Sequence, residues 1–308
     1  MAMRTLPAKL AAAALGAVTP ASSPLRAAGF MLLAAMATAG MNACVRFLSG
    51  DLHPFEIGFF RCLFGLLILM PLLLRYGLKP LRTSRIGLHM IRSLLNVTAT
   101  LLFFLGLALT PLAKAIALDF SAPLFAAVLA VIFLHERMPP RRFAALVVGV
   151  AGVLIVLRPG RGNIDVGAIF VLASGATWGL TLIIIKVLSR NDSSLATTVY
   201  VGLFTTPLAL IAALPVWQTP NVQQLGWLAL TGGLGGLGQL CLAQALRTTD
   251  VTVILPIDFT KLVWASLLGF LVFAEKPDLW TWVGGTTIFA AAFYVAATER
   301  SIGKRVPV

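Results

Sequence analysis

An all-α membrane protein of ten transmembrane helices, built as two inverted five-helix repeats, is the fold class that the 308-residue sequence predicts. Three observations predict it: an apolar composition, ten long apolar runs, and a match between the two halves. Hydrophobic residues make up 59% of the chain and charged residues 11%, against roughly 25% charged in a soluble domain. Mean hydropathy is +0.94. Such a chain lacks the polar surface to cover a water-soluble globule. Cytosolic enzyme, DNA-binding module and disordered chain are excluded in their ordinary forms.

A spanning helix needs about 20 apolar residues. Runs bounded by charge, proline or polar clusters fall near 28–48, 55–74, 87–109, 113–134, 143–157, 167–188, 194–214, 225–246, 251–273 and 280–297. Apolar residues continue through them without in–out alternation, which predicts helices rather than barrel strands. The run 143–157 is the weakest alone, and its Arg-rich and Pro-containing flanks set its ends. The net charge of +13 comes from 24 Lys and Arg against 11 Asp and Glu. With the N-terminus inside, sixteen of the basic residues face the cytoplasm. Only Lys114, Arg158, Arg161 and Lys276 face the other way, so the positive-inside rule places both termini in the cytoplasm. Arg4 and Lys9 precede the short apolar stretch LAAAALGAV, a weak secretory-signal pattern. A true span starts directly afterward, so residues 1–26 read as a flexible cytoplasmic tail. Cys44, Cys62 and Cys241 all sit in apolar runs, and an odd number so placed argues against a disulfide framework or a metal cluster.

Sliding the chain against itself gives a match near an offset of 139 residues. IALDFSAPL at 116–124 overlays LPIDFTKLV at 255–263, so that Asp119-Phe120-Ser121 meets Asp258-Phe259-Thr260. Glu136 meets Glu275 in the same register. Five spans per copy is an odd number, so the second copy enters the membrane from the opposite side. Inverted repeats of this kind are an architecture of secondary transporters.

The chain resembles the EamA-type members of the drug/metabolite transporter superfamily over residues 27–298. HPFEIGFFR (53–61), FLHERMPPRRFAALVVGVAGVLIVLRPG (133–160), the TWG of 177–179 and FAEKPDLWTWVGG (273–285) carry the likeness. The Glu275-to-Gly284 spacing fits the family; in the first half Ala145 stands where a Gly is expected, although Gly152 matches the next one. The resemblance implies a first EamA repeat at 27–160 (helices 1–5), a second at 161–298 (helices 6–10) and a cytoplasmic C-terminal tail at 299–308. It also implies a central cavity lined mainly by spans 1, 3, 4, 6, 8 and 9. Members move amino acids, nucleoside-like metabolites, riboflavin, S-adenosylmethionine or drugs, so the family does not name the substrate.

A charge at the centre of a bilayer costs on the order of 3 kcal/mol even on lenient scales, so ionisable residues within spans are the first candidates. Asp119 and Asp258 fall inside spans four and nine, where they suit an amino or cationic group of a substrate, or a coupling proton. Helix glue or internal pairing is the alternative for each. Lys261 lies one turn after Asp258 on the same face and forms either a neutral structural pair with it or an amphoteric subsite. Pro256, just before them, frees backbone carbonyls in span nine. Arg61 is a candidate to touch substrate, to pair with Glu56 or to reach Asp119, and Arg92 to touch substrate or to snorkel. Glu136 and Glu275, at span ends, read as loop-locking groups. Asn42, Asn96, Gln239 and Gln244 complete a polar lining, with Trp178, Phe120, Phe259 and Trp264 available to stack on a ring or cation. Gly-rich span eight (Gly232, Gly233, Gly235, Gly236, Gly238) suits close packing or bending. No carboxylate lies in span one, no Walker sequence is present, and His53, His89 and His135 form no ligand spacing.

These residues point to a secondary transporter, not driven by ATP, of a small polar solute across the bacterial inner membrane. An amino-acid-like or zwitterionic solute is the first expectation, because the candidate groups offer both charge signs. A larger aromatic or nucleoside-like metabolite, such as riboflavin or S-adenosylmethionine, is the alternative, and an integral membrane enzyme a distant one. No catalytic residue, metal or cofactor is expected. The expected partners are the metabolite, the lipid bilayer and a proton or exchanged solute, with a homodimer left open and nucleic acid excluded.

Overall fold

In hydrocarbon every backbone N–H and C=O must find an internal partner, which favours helices throughout. The computed structural model of the chain describes residues 24–76, 85–134, 138–158, 165–188, 194–248, 256–276 and 278–303. The expected N-terminal tail up to residue 23 and Glu136 lie outside them. The helices are α1 (Pro24–Leu48), α2 (Pro54–Tyr76), α3 (Ile86–Leu109), α4 (Leu112–Asp119), α5 (Ala122–Leu134), α6 (Pro140–Leu157), α7 (Val166–Leu188), α8 (Ser194–Ala213), α9 (Val222–Thr248), α10 (Thr260–Phe273) and α11 (Leu279–Gly303). A 3-10 turn at Leu214–Val216 follows α8. Leu112–Phe133 and Pro256–Phe273 each have the length and apolarity of one span, so α4 with α5 forms span 4, and residues 256–258 with α10 form span 9. Ten spans result. Helix α11 continues to Gly303, so residues 299–303 of the expected tail are helical.

Spans 4 and 9 break at matching places. In span 4 the break falls at Phe120 and Ser121, which the sequence did not foretell. Pro123 explains it, because proline has no N–H to donate four residues back to the Asp119 carbonyl. In span 9 the break falls at Phe259, not at Pro256, and the Thr260 hydroxyl donates to the Ile257 carbonyl at 2.7 Å.

Packing follows the repeat. Span 1 packs on span 8 as span 6 packs on span 3; span 9 packs on span 1 as span 4 packs on span 6; span 8 packs on span 2 as span 3 packs on span 7. These three contacts each have their mirror, as an inverted repeat implies, whereas span 4 packs on span 10 and span 2 on span 3 more closely than their counterparts do. Small residues permit the closest crossings. A Cβ on Gly106 would stand 2.7 Å from the Gly167 carbonyl oxygen. On Gly284 it would collide with Val156 and stand 2.7 Å from the Gly152 carbonyl oxygen. This places the Gly152 and Gly284 of the family pattern against each other between α6 and α11.

One end of the bundle is tied by charge. Arg46, at the end of α1, donates through Nη1 to the carbonyls of Leu107 (2.8 Å) and Thr110 (2.6 Å) and pairs through Nη2 with Glu275. The other Glu275 oxygen accepts the Leu112 N–H at 2.8 Å. Glu275 reaches this position because Ala274 takes a left-handed turn (φ 53°) after α10, a conformation that favours glycine. Beside it Lys114 pairs with Asp165 at 2.6 Å, joining span 4 to span 6, and Thr110 donates to the same carboxylate at 2.8 Å. Arg158 pairs with Asp278 and lies over the Trp280 ring. Seven spans (1, 3, 4, 5, 6, 9 and 10) therefore meet at this face, and Glu275 locks the turn after α10 to spans 1 and 4. Burial raises the Asp165 carboxyl, but the hydrogen bonds from Lys114, Thr110 and the Ala168 N–H outweigh it and hold the group below the usual carboxylate range.

Three outcomes are expected. Gly284→Leu should lower Tm and folded yield in detergent by overpacking, a cost of about 1–3 kcal/mol, whereas Gly29→Ala, with open space around it, should change neither. Glu275→Ala should lower Tm more than an exposed pair would, and the Arg46→Ala/Glu275→Ala double variant should lose less than the sum of the single losses. Because the Asp165 pKa is depressed on folding, its contribution is fully present above about pH 4 and fades as pH falls through the depressed value. The Tm gap between wild type and Asp165→Asn should therefore be constant from pH 7 to 5 and close on further acidification.

Candidate functional site

The two breaks bring the repeated Asp-Phe pairs together. The Phe120 and Phe259 rings lie 5.6 Å apart, and Phe289 of span 10 joins both at 5.6 and 4.5 Å. Residues equivalent by the repeat thus touch at the centre of the molecule. Asp119 closes the eight-residue α4, roughly 12 Å along the helix axis at 1.5 Å per residue.

Around this point lies a cavity of about 370 Å³, within the range of small-molecule sites. Spans 1, 3, 4, 6, 8 and 9 all line it, as the family likeness implied, and Arg61 of span 2 and Phe289, Ala292 and Phe293 of span 10 are added to its wall. On span 1 the wall runs from Asn42 back to Met31, away from the face tied by Glu275. A second cavity, of about 330 Å³, lies within that tied face among Lys114, Asp165, Arg158 and Glu275.

Asp119, Asp258, Lys261, Arg61, Gln239 and Trp178 of the expected residues line the central cavity. Lys261 Nζ contacts Asp258 Oδ1 at 2.6 Å, the one-turn pair that the spacing implied. Asp119 makes no direct ion pair among the described residues, although Lys261 and Asp258 are both near enough to act on it electrostatically. The cavity therefore holds one paired and one unpaired carboxylate.

Several expectations are corrected. Arg61 pairs with neither Glu56 nor Asp119: its Nε–H donates to the Met41 sulfur at 3.4 Å, and its guanidinium lies 5.8 Å from the centre of the Phe104 ring. Glu56 is fully buried and accepts the Gln218 N–H at 3.2 Å, tying α2 to the end of span 7. Asn96, Gln244, Trp264 and Arg92 are not part of the wall. Gln244 follows Gln239 by five residues, a rotation of about 140° at 3.6 residues per turn, so it is buried on another face of α9. Asn96 lies one turn before the wall residues Ala99 and Thr100, and Trp264 one turn past Lys261. Phe259 packs on Phe120 and Phe289 behind the wall rather than in it. Among the described residues no three His, Cys, Asp or Glu side chains converge on a metal position.

Sequence reasoning missed the aromatic wall. Phe103, Phe104, Phe289 and Phe293 line the cavity alongside Phe120 and Trp178, and the four-residue spacing of Phe289 and Phe293 was the one available signal.

The profile of the EamA-like transporter family matches the chain twice, over residues 25–158 and 165–297. An S-adenosylmethionine uptake transporter of Rickettsia bellii is 29% identical over 272 residues, covering 88% of this chain and 94% of the relative. A riboflavin transporter of Vibrio cholerae is 30% identical over 288 residues, 92% of this chain and 96% of the relative. A pseudopaline exporter of Pseudomonas aeruginosa is 27% identical over 274 residues, with 87% and 95% covered. A protein of known crystal structure shares the fold with a TM-score of 0.58 at 19% identity, covering 89% of this chain and 98% of its own. Two matched repeats, mirrored packing and a central cavity at the paired breaks agree on one assignment: the chain belongs to the EamA-like transporter family.

Proposed function

We propose that the chain is a secondary transporter of an S-adenosylmethionine-like metabolite, carried through the central cavity by alternating access of the two repeats. One observation carries this reading: the cavity holds both signs of charge and an aromatic wall together, at the place where the repeats meet. S-adenosylmethionine has a purine, a sulfonium cation and an amino-acid end. The wall offers aromatic faces for the first, the unpaired Asp119 for a cation, and cationic side chains for the carboxylate. The relatives named for S-adenosylmethionine and riboflavin favour such a larger solute over a simple amino acid. Riboflavin is the second reading, supported by the 30% identical relative, but it carries no charge that would use Asp119.

The excess of basic residues on one side supports assigning the Glu275 face to the outside of the inner membrane. On that assignment the described conformation is closed outward, with the cavity reaching toward the cytoplasm. Exchange to the other state would release the Arg46–Glu275 and Lys114–Asp165 ties.

Thermal shift of the purified protein tests the substrate class. A ligand at 100 times its Kd stabilises by about 2.7 kcal/mol, so S-adenosylmethionine should raise Tm by several degrees while methionine alone should not; a shift with methionine and none with S-adenosylmethionine would sink this reading. In reconstituted vesicles Asp258→Asn should abolish or strongly impair flux with membrane insertion intact. Lys261→Ala should lower Tm by leaving Asp258 unpaired, and Asp258→Asn in the same chain should restore part of the loss.

A further inference from the structure

Arg61 is a cation that the protein itself does not neutralise. Among the described residues its neighbours are the Met41 thioether, the adjacent Cys62 thiol and the face of Phe104, all uncharged. The acid nearest in sequence, Glu56, is committed to the Gln218 backbone on the far side of the turn. Four other cations among the described residues give the contrast. Arg46, Lys114, Arg158 and Lys261 each hold a carboxylate; Arg61, facing the central cavity, holds none. Arg61 is half-buried, and a guanidinium drawn partly out of water without a counter-charge is costly; the groups that position it are the two weak sulfur partners Met41 and Cys62 and one ring face. Room is also kept for it: a Cβ on Gly235 would stand 3.6 Å from Arg61 Nε and 2.9 Å from the Met41 sulfur. Arg61 lines the central cavity, and a guanidinium is the group that takes a carboxylate or phosphate by two parallel hydrogen bonds.

Asn42 adds a second observation. It follows Met41 on α1, is 2% exposed, and its Oδ1 atom has no hydrogen-bond partner among the described residues, yet it lines the same cavity. Buried amide oxygens are rarely left unmatched. An acceptor and a cation on neighbouring parts of one wall match a group that carries an ammonium donor and an anion close together.

We propose that Arg61 and Asn42 form the subsite for the anionic end of the substrate, with Arg61 binding its carboxylate and Asn42 accepting from its ammonium. This rests on the central cavity being the transport site. It sets a polarity for the bound solute: anion toward spans 1 and 2, cation and ring toward Asp119 and the aromatic wall. It also makes Arg61 a determinant of specificity, because a substrate without an anionic group would leave the guanidinium desolvated and unpaired.

The test has two readouts. Without ligand, Arg61→Met should keep or raise Tm, since it removes a half-buried cation with no counter-charge, whereas Lys261→Met should lower it by stranding Asp258. A fall in Tm for Arg61→Met as large as that of Lys261→Met would overturn the assignment, because Arg61 would then be structural. With ligand, wild type should bind S-adenosylmethionine about 30-fold or more tightly than its decarboxylated analogue, and Arg61→Met should erase that preference. Equal weakening toward both compounds would also overturn it. A wild type that ignores S-adenosylmethionine and binds riboflavin removes the substrate class proposed above, and the assignment is then read from riboflavin phosphate. A preference for the phosphate over riboflavin that vanishes in Arg61→Met supports the anion subsite, and equal binding of the two overturns it.

Discussion

A carboxylate inside a hydrocarbon layer has no solvent, and the surroundings of Asp119 and Asp258 are what the protein provides in its place. Lys261 neutralises Asp258 directly at 2.6 Å. Breaks in spans 4 and 9 free polar backbone beside both acids, which is sustainable only where the chain faces a cavity rather than lipid. The cavity is therefore a condition of having these acids at all. Its position follows from the repeat, because two equivalent breaks that meet must meet at the pseudo-twofold, and the 5.6 Å contact of Phe120 with Phe259 marks that place.

The same symmetry bears on how the cavity changes sides. The closest contacts of spans 1, 3, 6 and 8 occur in mirrored pairs, while span 4 packs on span 10 without an equally close counterpart. Arg46, Glu275, Lys114 and Asp165 tie spans 1, 3, 4, 6 and 9 at one face. On the alternating access proposed above, these polar ties bias the exchange between the two states. Glycine contacts such as Gly152 with Gly284 keep the helices close enough to move as packed units. Gly235 of span 8 in the same way leaves space for the Met41 thioether beside Arg61.

The fold was legible in the sequence because a bilayer imposes a length and an apolarity on each span, and both can be counted. The repeat was legible because Asp119-Phe120 and Asp258-Phe259 kept their register. Residue types and spacing also disclosed the Asp258–Lys261 pair, since one helical turn fixes that distance whatever the rest of the chain does. The break in span 4 was less visible: Pro123 lies three residues after the point it disrupts, and the proline of span 9 lies before its break instead. The surroundings of Arg61, already a candidate in the sequence, resisted sequence reasoning for another reason. Its expected partner Glu56 lies on the same helix, and only the packing of α2 on the turn after span 7 shows that this acid is engaged elsewhere.

Membership of the wall divided the candidates in a way that composition could not. Gln239 and Gln244 are the same residue type on the same helix, yet one faces the cavity and the other is buried between helices. Phe103, Phe104, Phe289 and Phe293 looked like ordinary apolar residues of a span and turned out to form the aromatic wall. By itself the sequence determined the number of spans, the inverted repeat and the two acids inside the membrane, because these depend on local properties of the chain. Which charges are paired, which face is tied and which side chains share one cavity were decided only by the tertiary structure, since each depends on the rotation and contact of helices far apart in the chain.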